Sequence, residues 1–138
     1  MRRRSHPANL TDLHILVVED NELNLEIAVF SLEAAGLNVS TAINGLEAVQ
    51  LFEKSKPYEY DIILMDIMMP VMNGLDVAKA IRGLSRPDAP TVPIIALSAN
   101  AFAEDIVRSS EAGMDAHITK PIDENKLKEC MLRLLASR

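Results

Sequence analysis

The chain has 138 residues with one cysteine, 49% apolar and 25% charged residues. That is one domain's length in an ordinary globular composition, able to bury a core without staples; Cys130 alone excludes an intrachain disulfide and a cysteine-based zinc site. The net charge is −6, and Arg2, Arg3 and Arg4 stand in a stretch without acids, so the body is more acidic still and nucleic acid is disfavoured as its main ligand.

The arginine run is followed by Ser5-His6-Pro7-Ala8-Asn9, where a signal peptide needs an apolar segment, and no apolar run is long enough to span a bilayer. Residues 1–11 read as a linker or expression tail and residues 12–138 as the domain. A cytoplasmic protein without membrane contact is expected.

Ile15-Leu16-Val17-Val18 is a short apolar run rich in β-branched residues, the pattern of a strand buried on both faces. It stops at Glu19-Asp20-Asn21, and a helix is expected to Ala35, closed by Gly36. Val39 to Ala42 is a weaker strand. Asn44 with Glu47 resembles a capping box, opening a helix to about Lys54. Asp61 to Asp66 is the next buried strand, ending in an acid. Pro70 and Asn73-Gly74 punctuate a loop before a helix over 75–81. Pro87, Pro90 and Pro93 mark a loop before the strand Ile94 to Leu97. A helix over 101–112 ends at Gly113, Ala116 to Thr119 forms the last strand, and Asp123 can cap a helix from Glu124 to Leu135. Strands alternating with helices predict an α/β doubly wound fold with a five-stranded parallel sheet, and the short chain favours order 2-1-3-4-5.

In that order the crevice lies at the carboxyl ends of the first and third strands. Glu19, Asp20 and Asp66 fall there, with Ser98, Thr119 and Lys120 at the ends of the last two strands. Three crowded carboxylates need compensating cations. Lys120 supplies one charge, and a hard dication with oxygen ligands, Mg²⁺, suits the rest. A carboxylate beside Mg²⁺ and a lysine is poised to take a phosphoryl group. Helix capping explains Asp123 and fits Asp20 or Asn21. It fits Asp66 less well, because Ile67-Met68-Met69-Pro70 does not begin a helix.

Val17-Val18-Glu19-Asp20-Asn21, Leu64-Met65-Asp66-Ile67-Met68-Met69-Pro70 with Asn73-Gly74, Ile95-Ala96-Leu97-Ser98-Ala99 and Ile118-Thr119-Lys120-Pro121 resemble the receiver domain of two-component response regulators, over residues 13–136. The resemblance implies that Asp66 is the phosphoacceptor and takes its phosphate from a phosphohistidine. It implies that Asp20, Asp66 and the Met68 carbonyl ligate Mg²⁺, with Glu19 acting through water. Ser98 and Lys120 would each contact a phosphoryl oxygen. His117 stands where many receivers carry Tyr or Phe, so the usual aromatic switch is expected to couple only weakly and in a pH-dependent way, unless His117 is simply a solvated edge residue.

Glu19-Asp20-Asn21 with Asn24, and Ser98-Ala99-Asn100-Ala101 with Gly113-Met114-Asp115-Ala116-His117, are most similar to receivers of hybrid sensor histidine kinases. The alternative is a stand-alone single-domain regulator, since no DNA-binding segment is seen before Arg138. Expected partners are a histidine kinase dimerisation domain or a histidine phosphotransfer protein, with the isolated domain a monomer. On the first helix, Ile27, Ala28, Ser31, Leu32 and Ala35 form a stripe that can face the sheet. Leu23, Leu25, Val29 and Phe30 lie outside it and are either covered by neighbours or a partner surface. An aspartyl-nucleophile hydrolase is less favoured: related phosphatases place an acid two residues after the nucleophile, where this chain has Met68. A flavin carrier is less favoured because Glu19-Asp20 would repel its phosphate. Whether the domain counts as an enzyme is left open.

Overall fold

The structure, a computed structural model, describes residues 12–67, 69, 72–99, 103–120 and 122–136. Residues 1–11, expected as a tail, lie outside the described residues, as do Met68, Asn100 and Pro121. Five strands alternate with five helices: β1 His14–Val18, α1 Glu22–Ala34, β2 Asn38–Ala42, α2 Gly45–Lys54, β3 Ile62–Asp66, α3 Gly74–Arg82, β4 Ile94–Ser98, α4 Ala103–Glu111, β5 Ala116–Thr119 and α5 Glu124–Ala136. All strand pairs are parallel, in the expected order β2-β1-β3-β4-β5.

The strand alternation divides the core in two. Leu16, Val18, Ile63, Met65, Ile94 and Ala96 point to one face, where Phe52 of α2 and Val77, Ala78 and Ile81 of α3 cover them. Ile15, Val17, Ile62, Leu64, Ile95 and Leu97 point to the other, against Ala28 and Leu32 of α1 and Leu127 and Met131 of α5. Burial on both faces is why these strands read as continuous apolar runs.

Short polar residues start the helices along the carboxyl edge of the sheet. Asn21 accepts from the Asn24 N–H at 2.9 Å, Asn44 from Glu47 at 2.8 Å, Asn73 from Asp76 at 3.0 Å and Asp123 from Asn125 at 2.9 Å. At Asn44 the expected box is shifted by one residue, because the Glu47 carboxylate reaches back to the N–H of Ile43 rather than Asn44. Gly36 closes α1 with φ +93°, a left-handed conformation that a side chain disfavours, and the next N–H, of Leu37, bonds back to Leu32.

Two expectations are corrected. Helix α3 begins one residue earlier than expected, at Gly74, with Asn73 outside it as the cap. On α1, Ala28 and Leu32 are buried and Leu25 packs partly beneath, but Ile27 does not face the sheet. It is exposed with Leu23 and Phe30. The helix is rotated relative to the stripe drawn from its sequence, and both of its faces are apolar.

At the amino edge of the sheet, two arginines tie loops together. Arg82 donates to the carbonyls of Ala89 and Gly113 and pairs with Asp115 at 2.9 Å. Arg86 bonds the carbonyls of Phe52 and Lys56, lies over the Phe52 ring and pairs with buried Asp88 at 2.6 Å. Burial pushes the Asp88 carboxyl up, but the bonds from Arg86 and from the Tyr58 N–H outweigh it and leave it below the usual aspartate range.

Candidate functional site

The parallel register sets the site. Ends of β1, β3, β4 and β5 meet at one rim, so the residues just past or at those ends converge although they lie far apart in sequence. Glu19 follows β1 and its N–H bonds the Ala42 carbonyl, which fixes the chain where β1 stops. Asp66 is the last residue of β3, and the next N–H, of Ile67, bonds Leu97 of β4. Lys120 follows β5, with its N–H on the Ser98 carbonyl at 2.8 Å.

Glu19, Asp20 and Asp66 each bring a carboxylate oxygen within 4.8 Å of the others. Glu19 and Asp66 are buried, and Asp20 is exposed on the rim. The Lys120 ammonium sits between the buried pair, 2.9 Å from Glu19 Oε2 and 3.2 Å from Asp66 Oδ2. The second Glu19 oxygen accepts the Asn21 N–H at 3.2 Å.

The electrostatics follow from this geometry. Burial, first, and the Asp66 charge raise the Glu19 carboxyl above its ordinary value, although Lys120 works against both. Burial alone would lower Lys120, but the hydrogen bond to Glu19 and the charge of Asp66 overcome it, so its ammonium is held above the usual lysine value. One lysine faces three acids. The donors are all oxygens, and one carboxylate is open to solvent, which fits a small hard dication that keeps several waters.

The expected site residues Glu19, Asp20, Asp66, Ser98 and Lys120 therefore lie on one rim. Met68 lies outside the described residues. Asp20 is not the cap of α1, because Asn21 is. His117 is part-buried rather than a solvated edge residue. Its Nε2 lies 2.6 Å from Ser98 Oγ and its Nδ1 lies 3.4 Å from Ser109 Oγ.

Two participants escaped the sequence reading. Ser109 is buried on α4 beside His117, and nothing marks it within an amphipathic helix. Gly74 supports the Asp66 end of β3: its N–H bonds the Ile67 carbonyl, and an added Cβ would stand 2.6 Å from the Asp66 carbonyl oxygen. The Asn-Gly pair was a visible signal there, but one that loops share.

Comparison with known proteins agrees with this arrangement. The chain is 39% identical over 116 residues to hybrid signal transduction histidine kinase L of Dictyostelium discoideum, covering 83% of this chain but 7% of that protein. It is 38% identical over 110 residues to the transcriptional regulatory protein CseB of Streptomyces avermitilis, covering 80% of this chain and 43% of that one. The receiver domain of sensor histidine kinase PA1611 from Pseudomonas aeruginosa, solved with a magnesium ion in its active site cleft, superposes with a TM-score of 0.80 at 34% identity, over 91% of this chain and 98% of that one. The chain thus spans a small part of the kinase and less than half of the regulator. No helix among the described residues is long and apolar enough to cross a membrane. The family model of the response regulator receiver domain matches residues 15–132, which takes in every strand end on the rim, and the chain belongs to that family.

Proposed function

We propose that this domain accepts a phosphoryl group on Asp66 from a phosphohistidine of a partner protein. The N–P bond of the donor breaks as an O–P bond forms on an Asp66 carboxylate oxygen. The observation that carries the reading is the Lys120 ammonium held 3.2 Å from Asp66 within a cluster of three carboxylates. Lys120 offsets charge on the incoming group, and Ser98 offers a hydroxyl at the end of the adjacent strand. Glu19, Asp20 and Asp66 would hold Mg²⁺, joined by the Met68 carbonyl that the family resemblance implies. The ion, when bound, supplies the positive charge that phosphoryl transfer needs.

The parent protein is a hybrid histidine kinase in this reading, supported by the likeness to the Dictyostelium kinase. A regulator is the second reading, supported by CseB at nearly equal identity. In either case the partner is a kinase dimerisation domain or a phosphotransfer protein on the cytoplasmic side. The exposed Leu23, Ile27 and Phe30 of α1 offer it an apolar face next to the rim, and Ile27 lines a cleft there with Lys120 and Ile122. The isolated domain is a monomer.

Incubation with Mg²⁺ and a small acyl phosphate, read by intact mass, tests the assignment. Wild type is expected to gain one phosphoryl mass. Asp66→Asn, and wild type in EDTA, are expected to gain none. Equal uptake by Asp66→Asn overturns it.

A further inference from the structure

Gly45, the first residue of α2, is buried where that helix meets α3 and the chain leading into it. Unlike Gly36 and Gly113 it has no positive φ, so what the position needs is the absence of a Cβ. An added Cβ would stand 2.5 Å from Val77 Cγ2, 3.0 Å from the Met72 carbonyl oxygen and 3.1 Å from Met72 Cβ. Met72 leads through Asn73 to Gly74, and there an added Cβ would stand 2.6 Å from the Asp66 carbonyl oxygen and 2.7 Å from Ile67 Cα. Backbone is thus stacked on backbone in series: the start of α2, the approach to α3, and the end of β3 that carries Asp66. The near side of the stack is tied as well. Ala42, at the end of β2, accepts the Glu19 N–H at 3.1 Å, and Asn44 caps α2 just before Gly45. The turn from β2 into α2 therefore touches the strand end bearing Glu19 and Asp20 on one side and the support of Asp66 on the other.

We propose that Gly45 is a positioning residue for the acidic cluster: through Met72 it sets where Asp66 stands relative to Glu19 and Asp20, and so how well the cluster fits Mg²⁺. The three carboxylates offer oxygens within 4.8 Å of one another. Mg²⁺ demands near-ideal geometry at about 2.0–2.1 Å, so it tolerates little change in that spacing. A methyl at Gly45 presses on Val77, which is fully buried in the core, and on Met72, whose contact there is backbone. Neither can swing aside, and a close-packed interior passes the strain on rather than absorbing it. The displacement runs along Met72, Asn73 and Gly74 to the Asp66 peptide, because Gly74 has no slack against it and its N–H bonds the Ile67 carbonyl at 3.1 Å. Gly45 touches none of the carboxylates; it acts by where it lets the neighbouring chain lie.

The effect on affinity rests on the Mg²⁺ site of the proposed function, and the stacking of Gly45 on Met72 does not. The test is titration with magnesium chloride alone, followed by amide ¹H–¹⁵N shifts, with thermal melts alongside. Val77→Ala removes the tightest contact and is expected to bind Mg²⁺ as wild type does. Gly45→Ala is expected to lower Tm and to weaken Mg²⁺ binding about tenfold, the usual scale when the support behind a metal ligand is disturbed. In Gly45→Ala/Val77→Ala only the Met72 contact is still pressed. Its Tm is expected to recover toward that of Val77→Ala, while Mg²⁺ binding stays roughly threefold weaker than in Val77→Ala. In both Gly45 variants the metal-free amide shifts of Asp66 and Ile67 are expected to move. Asp88→Ala, which weakens the fold at the opposite edge of the sheet, is expected to leave Mg²⁺ affinity unchanged. A double variant that binds Mg²⁺ as tightly as Val77→Ala overturns the proposal, and that comparison stands even where Gly45→Ala alone does not fold. So does an Asp88→Ala variant that loses affinity to the same degree, since the loss would then follow stability rather than position. Wild type that binds no Mg²⁺ instead overturns the metal site, and the effect on affinity with it.

Discussion

Lys120 lies closer to Glu19 than to Asp66, 2.9 Å against 3.2 Å, so the lysine that faces Asp66 is anchored by a neighbouring acid. Glu19 thus holds the ammonium at the pocket while its own burial disfavours its charge. Glu19→Gln is expected to keep the fold, because the amide oxygen can still accept from Lys120. Uptake of phosphoryl from a small donor at limiting Mg²⁺ is expected to fall by about tenfold, the equivalent of about 1.4 kcal/mol. Initial uptake rates by intact mass, at low and saturating Mg²⁺, check this. A loss that saturating Mg²⁺ recovers places the effect in ion binding.

Mg²⁺ is expected to stabilise the domain. At about ten times its Kd, an ion that binds only the folded state adds about 1.4 kcal/mol, a rise in Tm of about 3–6 °C at this size. Asp20→Asn removes one exposed charge of the cluster without emptying a buried site. Its metal-free Tm is expected to rise slightly and its Mg²⁺ response to shrink by more than half. Thermal melts with and without millimolar Mg²⁺ decide this, and an unchanged wild-type Tm would contradict the site.

Gly74→Ala is expected to damage both stability and uptake. The new Cβ would meet backbone at 2.6 Å and 2.7 Å, at the Asp66 oxygen and Ile67 Cα, which cannot rotate away as a side-chain tip can. Overpacking of this kind costs about 1–3 kcal/mol. Because the strain falls on the Asp66 peptide itself, uptake is expected to drop even at temperatures where the variant stays folded. Urea melts paired with uptake rates separate the two effects.

Asp88 makes the fold sensitive to acid. Its carboxyl is held below the usual aspartate range, so it stays ionised in the folded state at pH values where the unfolded chain takes up a proton. The stability it lends is complete above about pH 4 and lost as pH falls through the lower folded value. Asp88→Ala removes the buried carboxylate that Arg86 and the Tyr58 N–H bond, and is expected to cost about 3 kcal/mol at neutral pH. The gap between variant and wild type is expected to narrow in acid, which urea midpoints at pH 7 and pH 3 would reveal.

Phe30→Ala and Ile27→Ala on α1 are expected to shift stability by no more than about 0.5 kcal/mol, being exposed. Transfer from a phosphorylated histidine partner is expected to slow by about tenfold in the double variant, while uptake from a small acyl phosphate is unchanged. Parallel assays with the two donors check it, and equal slowing with both would place the defect at the pocket.

Strands β1, β3 and β4 were legible because burial on both faces leaves unbroken apolar runs such as Ile62-Ile63-Leu64-Met65. The convergence of Glu19, Asp66 and Lys120 then follows from parallel topology alone. What the sequence concealed depends on rotation and approach. Ile27 lies one position from Ala28, about 100° around the helix, and nothing local says which of the two meets the sheet. The bond between His117 and Ser98 requires β4 and β5 in register, and Ser109 enters only when α4 packs beside them. Arg86 and Asp88 stand in a proline-rich loop whose sequence announces a turn but not a staple.

The positions of Arg82 and Arg86 divide the molecule into a fastened end and a reactive end. Their bonds gather the approaches to β3, β4 and β5 at the amino edge, a sheet's length from the acids. Because the clamp is built from other side chains than the rim, it can hold the scaffold whatever the state of the carboxylates. Substitutions on the rim can retune affinity for ion or donor while the scaffold stays assembled, and losses at the clamp should lower abundance in cells without altering the chemistry of the molecules that remain folded.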